Sequence, residues 1–368
     1  MKSFLSIFLL LLSSSIAFCQ QTSFFNADGF FSIGTQSNRT ASITLFDIDK
    51  DGDLDALVAN GRHWAEQNYV YYNSGKGGFK LAQAIGNYMD ASYAVKAGDL
   101  NGDNINDLAV ANDGIANVIY FGSADGSFTR AGSFGKIAPT RNLEIVDIDY
   151  DGDLDLILSN RKDVNEICLN DGKGNFEQSI FYGDETDQTI QTVIIDIDLD
   201  GDLDLITAER QNKNKIFLND KELAFKKVIE FGGANDETRS VDIGDINNDG
   251  FLDIVCGNLG GKNAIYFGSK TFDFTKKQTL SKDHQTASIK IADFNNDGLL
   301  DIAEGNSEET NYVYLNKGNL KFEEIILNPD LKEDTYNVTT GDINGDGLPD
   351  IIESNSGNWN LYYRTQVD

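Results

Sequence analysis

One nine-residue acidic motif recurs through this chain and constrains its fold more than any other feature. Asp47-Ile48-Asp49-Lys50-Asp51-Gly52-Asp53-Leu54-Asp55 returns at Asp99, Asp147, Asp196, Asp245, Asp293 and Asp342, at intervals of 48 to 52 residues. Self-similarity at a fixed period identifies an array of equivalent structural units rather than a mosaic of domains. Apart from the first residues, the array fills the 368-residue chain.

The motif has the donor pattern of a hard-cation loop. Position 1 is always Asp (Asp47, Asp99, Asp147, Asp196, Asp245, Asp293, Asp342). Position 3 is Asp or Asn (Asp49, Asn101, Asp149, Asp198, Asn247, Asn295, Asn344), and position 5 is always Asp (Asp51, Asp103, Asp151, Asp200, Asp249, Asp297, Asp346). Position 6 is Gly except for Asn104, the other residue type that accepts a left-handed backbone readily. Position 7 varies freely (Asp53, Ile105, Asp153, Asp202, Phe251, Leu299, Leu348), as expected where a backbone carbonyl is the donor. Position 9 is Asp again (Asp55, Asp107, Asp155, Asp204, Asp253, Asp301, Asp350). Three side-chain oxygens, one carbonyl and a bidentate carboxylate give six oxygen donors, which suits Ca²⁺ and not zinc or copper. Acidic turns are ordinary surface features, but seven in register crowd carboxylates at a cost that a cation relieves. Up to seven structural Ca²⁺ ions are therefore expected.

The loops account for close to half of the 59 acidic residues, against 30 basic ones and a net charge of -29. Such a surface repels a phosphate backbone and excludes nucleic acid as a partner. Lys2, the apolar run Phe4 to Leu12 and the small residues Ala17 and Cys19 give residues 1–19 the form of a secretory signal peptide cut before Gln20. Acylation of Cys19 is the competing reading, disfavoured by bulky Phe18. The expected localisation is secreted, periplasmic or cell-surface, with residues 20–368 as a single monomeric domain without a membrane span. Cys168 and Cys256 occupy non-equivalent places in different repeats and read as buried small hydrophobes rather than a disulfide.

Around each loop the residues alternate as strands do. Ser240 to Gly244 precedes a loop. Apolar runs such as Leu154 to Leu158 and Leu203 to Ile206 follow one and suit strands buried on both faces. A third strand opens with Asn (Asn68, Asn117, Asn165, Asn214, Asn263, Asn311, Asn358), and a turn then leads to a Phe (Phe79, Phe128, Phe176, Phe225, Phe274, Phe322) that starts a fourth. With 35 glycines for tight turns, the pattern predicts an all-β, seven-bladed β-propeller of four-stranded antiparallel blades. The last repeat stops after its third strand, and Phe24 to Phe31 reads as a fourth strand without a blade. The N-terminal strand is therefore expected to complete the last blade and close the ring.

The motifs Asp342-Ile343-Asn344-Gly345-Asp346-Gly347-Leu348-Pro349-Asp350-Ile351-Ile352 and Leu169-Asn170-Asp171-Gly172-Lys173-Gly174-Asn175-Phe176 closely resemble the FG-GAP/VCBS repeat family. Its Phe-Gly and Gly-Ala-Pro signatures are fragmentary here, as in Tyr120-Phe121-Gly122 and Gly257-Asn258. The family includes the propeller of integrin α subunits, fungal propeller lectins and the propeller domains of some bacterial polysaccharide lyases. The resemblance implies calcium loops between the first and second strands of each blade.

Ligand recognition is then expected on the opposite face. Seven residues before each motif stands Thr40, Ser92, Thr140, Thr189, Thr238, Thr286 or Thr335, a hydroxyl that reads as a backbone-bonding device. The next residue varies: Ala41, Tyr93, Arg141, Ile190, Arg239, Ala287, Tyr336. These are expected near the mouth of the central channel, where two arginines and two tyrosines suit an acidic or sugar-like ligand. The longer loop Gly61-Arg62-His63-Trp64-Ala65-Glu66-Gln67 and His284 belong to the same face. Trp359 reads as a packing residue equivalent to Tyr69 or Tyr312, and Arg161, Lys162, Asp163, Glu209, Arg210 and Lys213 as a solvated rim.

The expected function is a non-catalytic, calcium-binding module for an extracellular glycan or protein. One alternative is a lyase acting on uronate-containing polysaccharides, with His63, His284, Tyr93 or Tyr336 as base and Arg141 or Arg239 against the uronate charge. The other is an adhesion or assembly subunit of a surface complex. No nucleophile motif or transition-metal set accompanies the two histidines.

Overall fold

The computed structural model describes residues 21–27, 31–79 and 81–367, and the expected signal peptide lies outside them. Two short strands, β1 (Thr22–Phe25) and β2 (Ser32–Ile33), precede the array. The first repeat holds β3 (Thr40–Phe46), β4 (Asp55–Asn60), β5 (Glu66–Tyr72) and β6 (Leu81–Asp90). The second holds β7 (Ser92–Gly98), β8 (Asp107–Asn112), β9 (Asn117–Gly122) and β10 (Phe128–Phe134). β11 (Thr140–Val146), β12 (Asp155–Asn160), β13 (Asn165–Leu169) and β14 (Gln178–Tyr182) make the third. The fourth is β15 (Thr189–Ile195), β16 (Asp204–Glu209), β17 (Asn214–Leu218) and β18 (Lys227–Phe231). There follow β19 (Thr238–Gly244), β20 (Asp253–Tyr266), β21 (Lys277–Ala292), β22 (Asp301–Asn306), β23 (Tyr312–Asn316), β24 (Phe322–Ile326), β25 (Thr335–Gly341), β26 (Asp350–Asn355) and β27 (Asn360–Val367).

The fold is an all-β propeller, but the expectation of seven four-stranded blades needs correction. The described strands form six hydrogen-bonded sheets: four of four strands, one of five and one of six. The six-stranded sheet runs β19-β20-β21-β22-β23-β24, because β20 and β21 are continuous where other repeats break. Asp187 and Asp236 accept the Asp184 and Gly233 N–H and close the turns entering the fourth and fifth repeats. His284 stands at the equivalent place before the sixth, and instead of turning, the chain pairs Gly261 with His284 and Lys262 with Asp283. The five-stranded sheet is β25-β26-β27 with β1 and β2 both on β27; Thr22 faces Val367 and Ser32 faces Leu361.

First strands line the axis side by side: β3 by β7, then β11, β15, β19, the second half of β21, β25 and back to β3. Second strands are buried along their whole length, as an element packed between neighbouring sheets must be. The core lies in the seams between successive repeats. At the closing seam Ile343, Ile352 and Tyr362 pack with Ile43 and Val58. Cys168 and Cys256 are free and buried in two of the seams.

A polar relay stitches the seams on one face. The recurrent hydroxyl donates to a side chain and not to the backbone: Thr40 to Asn60, Ser92 to Asn112, Thr140 to Asn160, Thr189 to Glu209, Thr238 to Asn258, Thr286 to Asn306 and Thr335 to Asn355. The Asn opening each third strand accepts the N–H of that acceptor residue, and several of these Asn donate across to the next hydroxyl, as Asn68 does to Ser92 and Asn165 to Thr189. In the last repeat this residue is Asn360, not Asn358, and its bond to Thr40 closes the relay. Trp359 consequently sits one place before the strand and is exposed, not packed. Glu209 is buried in the relay and does not belong to the rim.

Candidate functional site

The acidic loops cap one end of the first strands. In the first loop, Asp47 accepts the N–H groups of Asp51 and Gly52, and Asp51 accepts that of Asp53. The Asp at position 9 is buried and accepts two backbone N–H bonds, in the first repeat from Ile48 and Asn73 and in the last from Ile343 and Thr365. The chain is left-handed at position 6 and also at position 4, where Lys50, Tyr150 and Leu199 have φ near 60°. These are residue types that avoid that region, so the carboxylate bonds hold them there at a cost of about 1–2 kcal/mol each.

Oxygens of Asp47, Asp49 and Asp55, of Asp147, Asp149 and Asp155, and of Asp196, Asp198 and Asp204 converge to within 4.8 Å in each set, a grouping that can hold a metal ion. The remaining loops place an Asn at position 3. Burial, then neighbouring carboxylates, raises the pKa of Asp49 and Asp198. Burial pushes Asp55, Asp107, Asp155, Asp204 and Asp253 to about 6 and Asp301 and Asp350 to about 7. Asp147 Oδ1 is buried without a hydrogen-bond partner. An orphaned oxygen among crowded carboxylates fits a cation well. The side chain at position 7 contributes little, since Phe251 and Leu299 serve there as Asp53 does.

The opposite end is built by a backbone irregularity. Each pairing of first and second strands skips one residue just after the relay hydroxyl, as between Thr140 and Asn142. The skipped residues are Ala41, Tyr93, Arg141, Ile190, Arg239, Ala287 and Tyr336, and all line one central cavity of about 310 Å³. A bulge residue has no partner across the ladder and is free to aim its side chain inward.

At this mouth Arg141 is almost fully enclosed, lies 4.3 Å from the Tyr93 ring centre and donates to Asp113 Oδ1 at 2.6 Å. Asp113 Oδ2 lies 2.5 Å from His63 Nδ1, and His63 Nε2 lies 3.2 Å from the Tyr93 hydroxyl. Arg62 stacks on Tyr336 at 4.0 Å and bonds Ser356 and Asp334. Arg239 approaches Glu237 at 3.9 Å, and burial lowers its pKa. Burial pushes the Tyr93 phenol well above its usual range.

Of the candidate residues, His63, Tyr93, Arg141, Arg239 and Tyr336 thus share one mouth. His284 does not: its Nδ1 lies 2.5 Å from buried Glu304 and its ring stacks on Tyr312. The mouth also includes Asp113, which sequence reasoning did not single out, and Arg62, from the longer loop expected on this face. Arg161 and Arg210, read as rim, reach the electrostatic surroundings of Arg239, and Arg210 bonds Glu237 at 2.6 Å. The signal available was position: Asp113, Arg161 and Arg210 each directly follow a second strand.

A search of curated proteins gives no match to this sequence. Among solved structures, the chain is similar to BBS1N in crystals with ARL6DN soaked with mercury, at 12% identity and TM-score 0.62, covering 94% of this chain and 98% of that one. A lead-soaked crystal of the same complex gives 12% identity and TM-score 0.60 over 93% and 96%. Raptor of Chaetomium thermophilum gives 15% identity and TM-score 0.55 over 92% of this chain and 29% of that one. At these identities the likeness concerns the fold alone. The profile of the FG-GAP-like repeat matches residues 47–110, 99–158, 147–207, 196–256, 245–304 and 303–353, and the chain belongs to the FG-GAP repeat family.

Proposed function

We propose that this protein is an exported, calcium-stabilised propeller that acts as a non-catalytic binding module, with its ligand at the arginine and tyrosine mouth of the channel. The observation carrying this reading is the convergence of Arg141, Arg239, Tyr93 and Tyr336 at the end away from the acidic loops. One end then serves stability and the other recognition. Calcium would be held by positions 1, 3, 5 and 9 and the carbonyl at position 7, supplying positive charge where carboxylates crowd. Site affinity is expected near ~10⁻⁴–10⁻³ M, typical of extracellular modules. An array of glycans and peptides, probed with and without calcium, tests the reading. Binding that needs calcium and is lost in Arg141→Gln and Arg239→Gln supports it; binding indifferent to both arginines contradicts it.

The Asp113–His63–Tyr93 chain beside Arg141 favours a lyase as second reading. Against it, burial keeps the Tyr93 phenol protonated and so a poor base. Incubation with uronate-containing polysaccharides should leave ultraviolet absorbance flat; a rise from new unsaturated ends would favour the lyase.

A further inference from the structure

The face around the mouth is divided in character. Where the last repeat meets the first and along to the entry of the third, it exposes Trp359, Trp64 (61%), Met89 (65%), Ile115 and Ile137 (68%). Entering the fourth and sixth repeats, and following the second strand of the sixth, the face exposes Asp184, Glu185, Asp283 and Glu308 instead. Short bridges join successive loops on both sides, Arg39 to Ser356, Gly61 to Ser92 and Asp113 to Pro139 on the apolar one and Arg161 to Gln188, Arg210 to Glu237 and Ser307 to Asp334 on the other. Between the halves lie Arg62, Arg141, Arg161, Arg210 and Arg239, five of the eight arginines in a chain of net charge -29. Asp113, Asp334 and Glu237 pair with some of them, yet the Nε atoms of Arg62, Arg161 and Arg239 are buried without a hydrogen-bond partner.

We propose that this face docks a protein partner that inserts a single carboxylate into the arginine collar and seats neighbouring apolar side chains on the stretch from Trp64 to Ile137. The proposal rests on the mouth being the binding end. Guanidinium groups with unused donors match a planar carboxylate in charge and geometry. The stretch from Trp64 to Ile137 suits apolar side chains better than sugar rings. Met89, Ile115 and Ile137 offer no flat face, and the Trp64 and Tyr88 rings already carry cations, Arg39 over Trp64 at 5.2 Å and Arg130 over Tyr88 at 4.8 Å. A polyanionic glycan spread across the face would also meet Asp184, Glu185 and Glu308, whereas one inserted carboxylate avoids them. An exposed apolar patch beside a charged pocket is the anatomy of a protein docking site.

The test pans a phage-displayed random peptide library against the full chain in millimolar calcium and measures a synthetic peptide of the leading sequence. Selected peptides should share an Asp, Glu or free C-terminus flanked by apolar residues. Replacing that acid by its amide, or Arg239 by Gln, should weaken binding by about tenfold or more. Ile137→Asp and Met89→Asp, at exposed side chains, should weaken it as well, with the circular dichroism spectrum of each variant unchanged. Peptides lacking an acid, binding unaffected by these changes, or a library yielding no collar-dependent peptide would overturn the proposal. If uronate oligosaccharides then bound in an Arg239-dependent way, the mouth would stand as the binding end and only the protein partner would fall.

Discussion

At the scale of single residues, the molecule places polar groups in its seams and joins many of them by side-chain hydrogen bonds. Glu353 is buried where the sixth repeat carries Glu304 and the other five an apolar residue or Thr, and it accepts from Asn311 and Tyr363. Burial pushes Glu353 and Glu209 up to about 7, and a hydrogen bond to Glu304 raises His284. Each binds more protons folded than unfolded, so the carboxyls stabilise fully below their ordinary value of 4.5 and less as pH rises through 7; His284 acts in the same sense above 6.5. In chelator, the melting temperature should therefore fall as pH rises from about 4.5 to about 7, and Glu353→Gln should flatten that fall. A variant as pH-sensitive as the parent contradicts the assignment. Leu199 makes a second test, being exposed and held at φ 61°. Leu199→Gly should stabilise the calcium-free protein by about 1 kcal/mol in urea titrations. The left-handed position 6 was legible because glycine marks it. Position 4 was legible only in part: Gly102, Asn248, Asn296 and Gly345 mark it, whereas Lys50, Tyr150 and Leu199 hide it and are held there by the bonds around the Asp at position 1.

At the scale of elements, loops and strands were read with unequal success. The acidic loops and the strands they join follow from fixed spacing and alternation. The bulge residues were legible as a set because each directly follows a recurrent hydroxyl, although the bulge that turns them inward leaves no mark in side-chain type. The merging of the fifth and sixth repeats into one sheet through the long strands β20 and β21 was hidden, since it depends on the chain pairing Gly261 with His284 where the neighbouring repeats turn. Asn358 was mistaken for Asn360 because both lie near a tryptophan and only the hydrogen bond to Asn355 separates them. If the loops act as separate cation sites, Asp149→Ala in calcium should speed amide exchange at Asp147 to Asp155 and in β11 and β12, leaving β19 unchanged. Uniform acceleration across all sheets would show that the sites are not independent.

At the scale of the whole molecule, the ring is held by its two ends. β1 and β2 pair with β27, and Asn360 bonds Thr40 across the closure. Deleting residues through Phe25 should lower the melting temperature by several degrees and favour self-association through the uncovered edge of β27; an unchanged, monomeric truncation contradicts that role. The division of labour between the two ends was legible in outline, because the acidic loops and the variable mouth positions flank the same strands. The sheet count was not, because it is set by pairing between residues of separate repeats. The central claim is that the carboxylate loops are cation sites that stabilise the propeller. Anomalous scattering from crystals grown in millimolar calcium tests it most directly. Peaks are expected among Asp47, Asp49 and Asp55, among Asp147, Asp149 and Asp155, and among Asp196, Asp198 and Asp204; a map with no peak in any of these loops would contradict it.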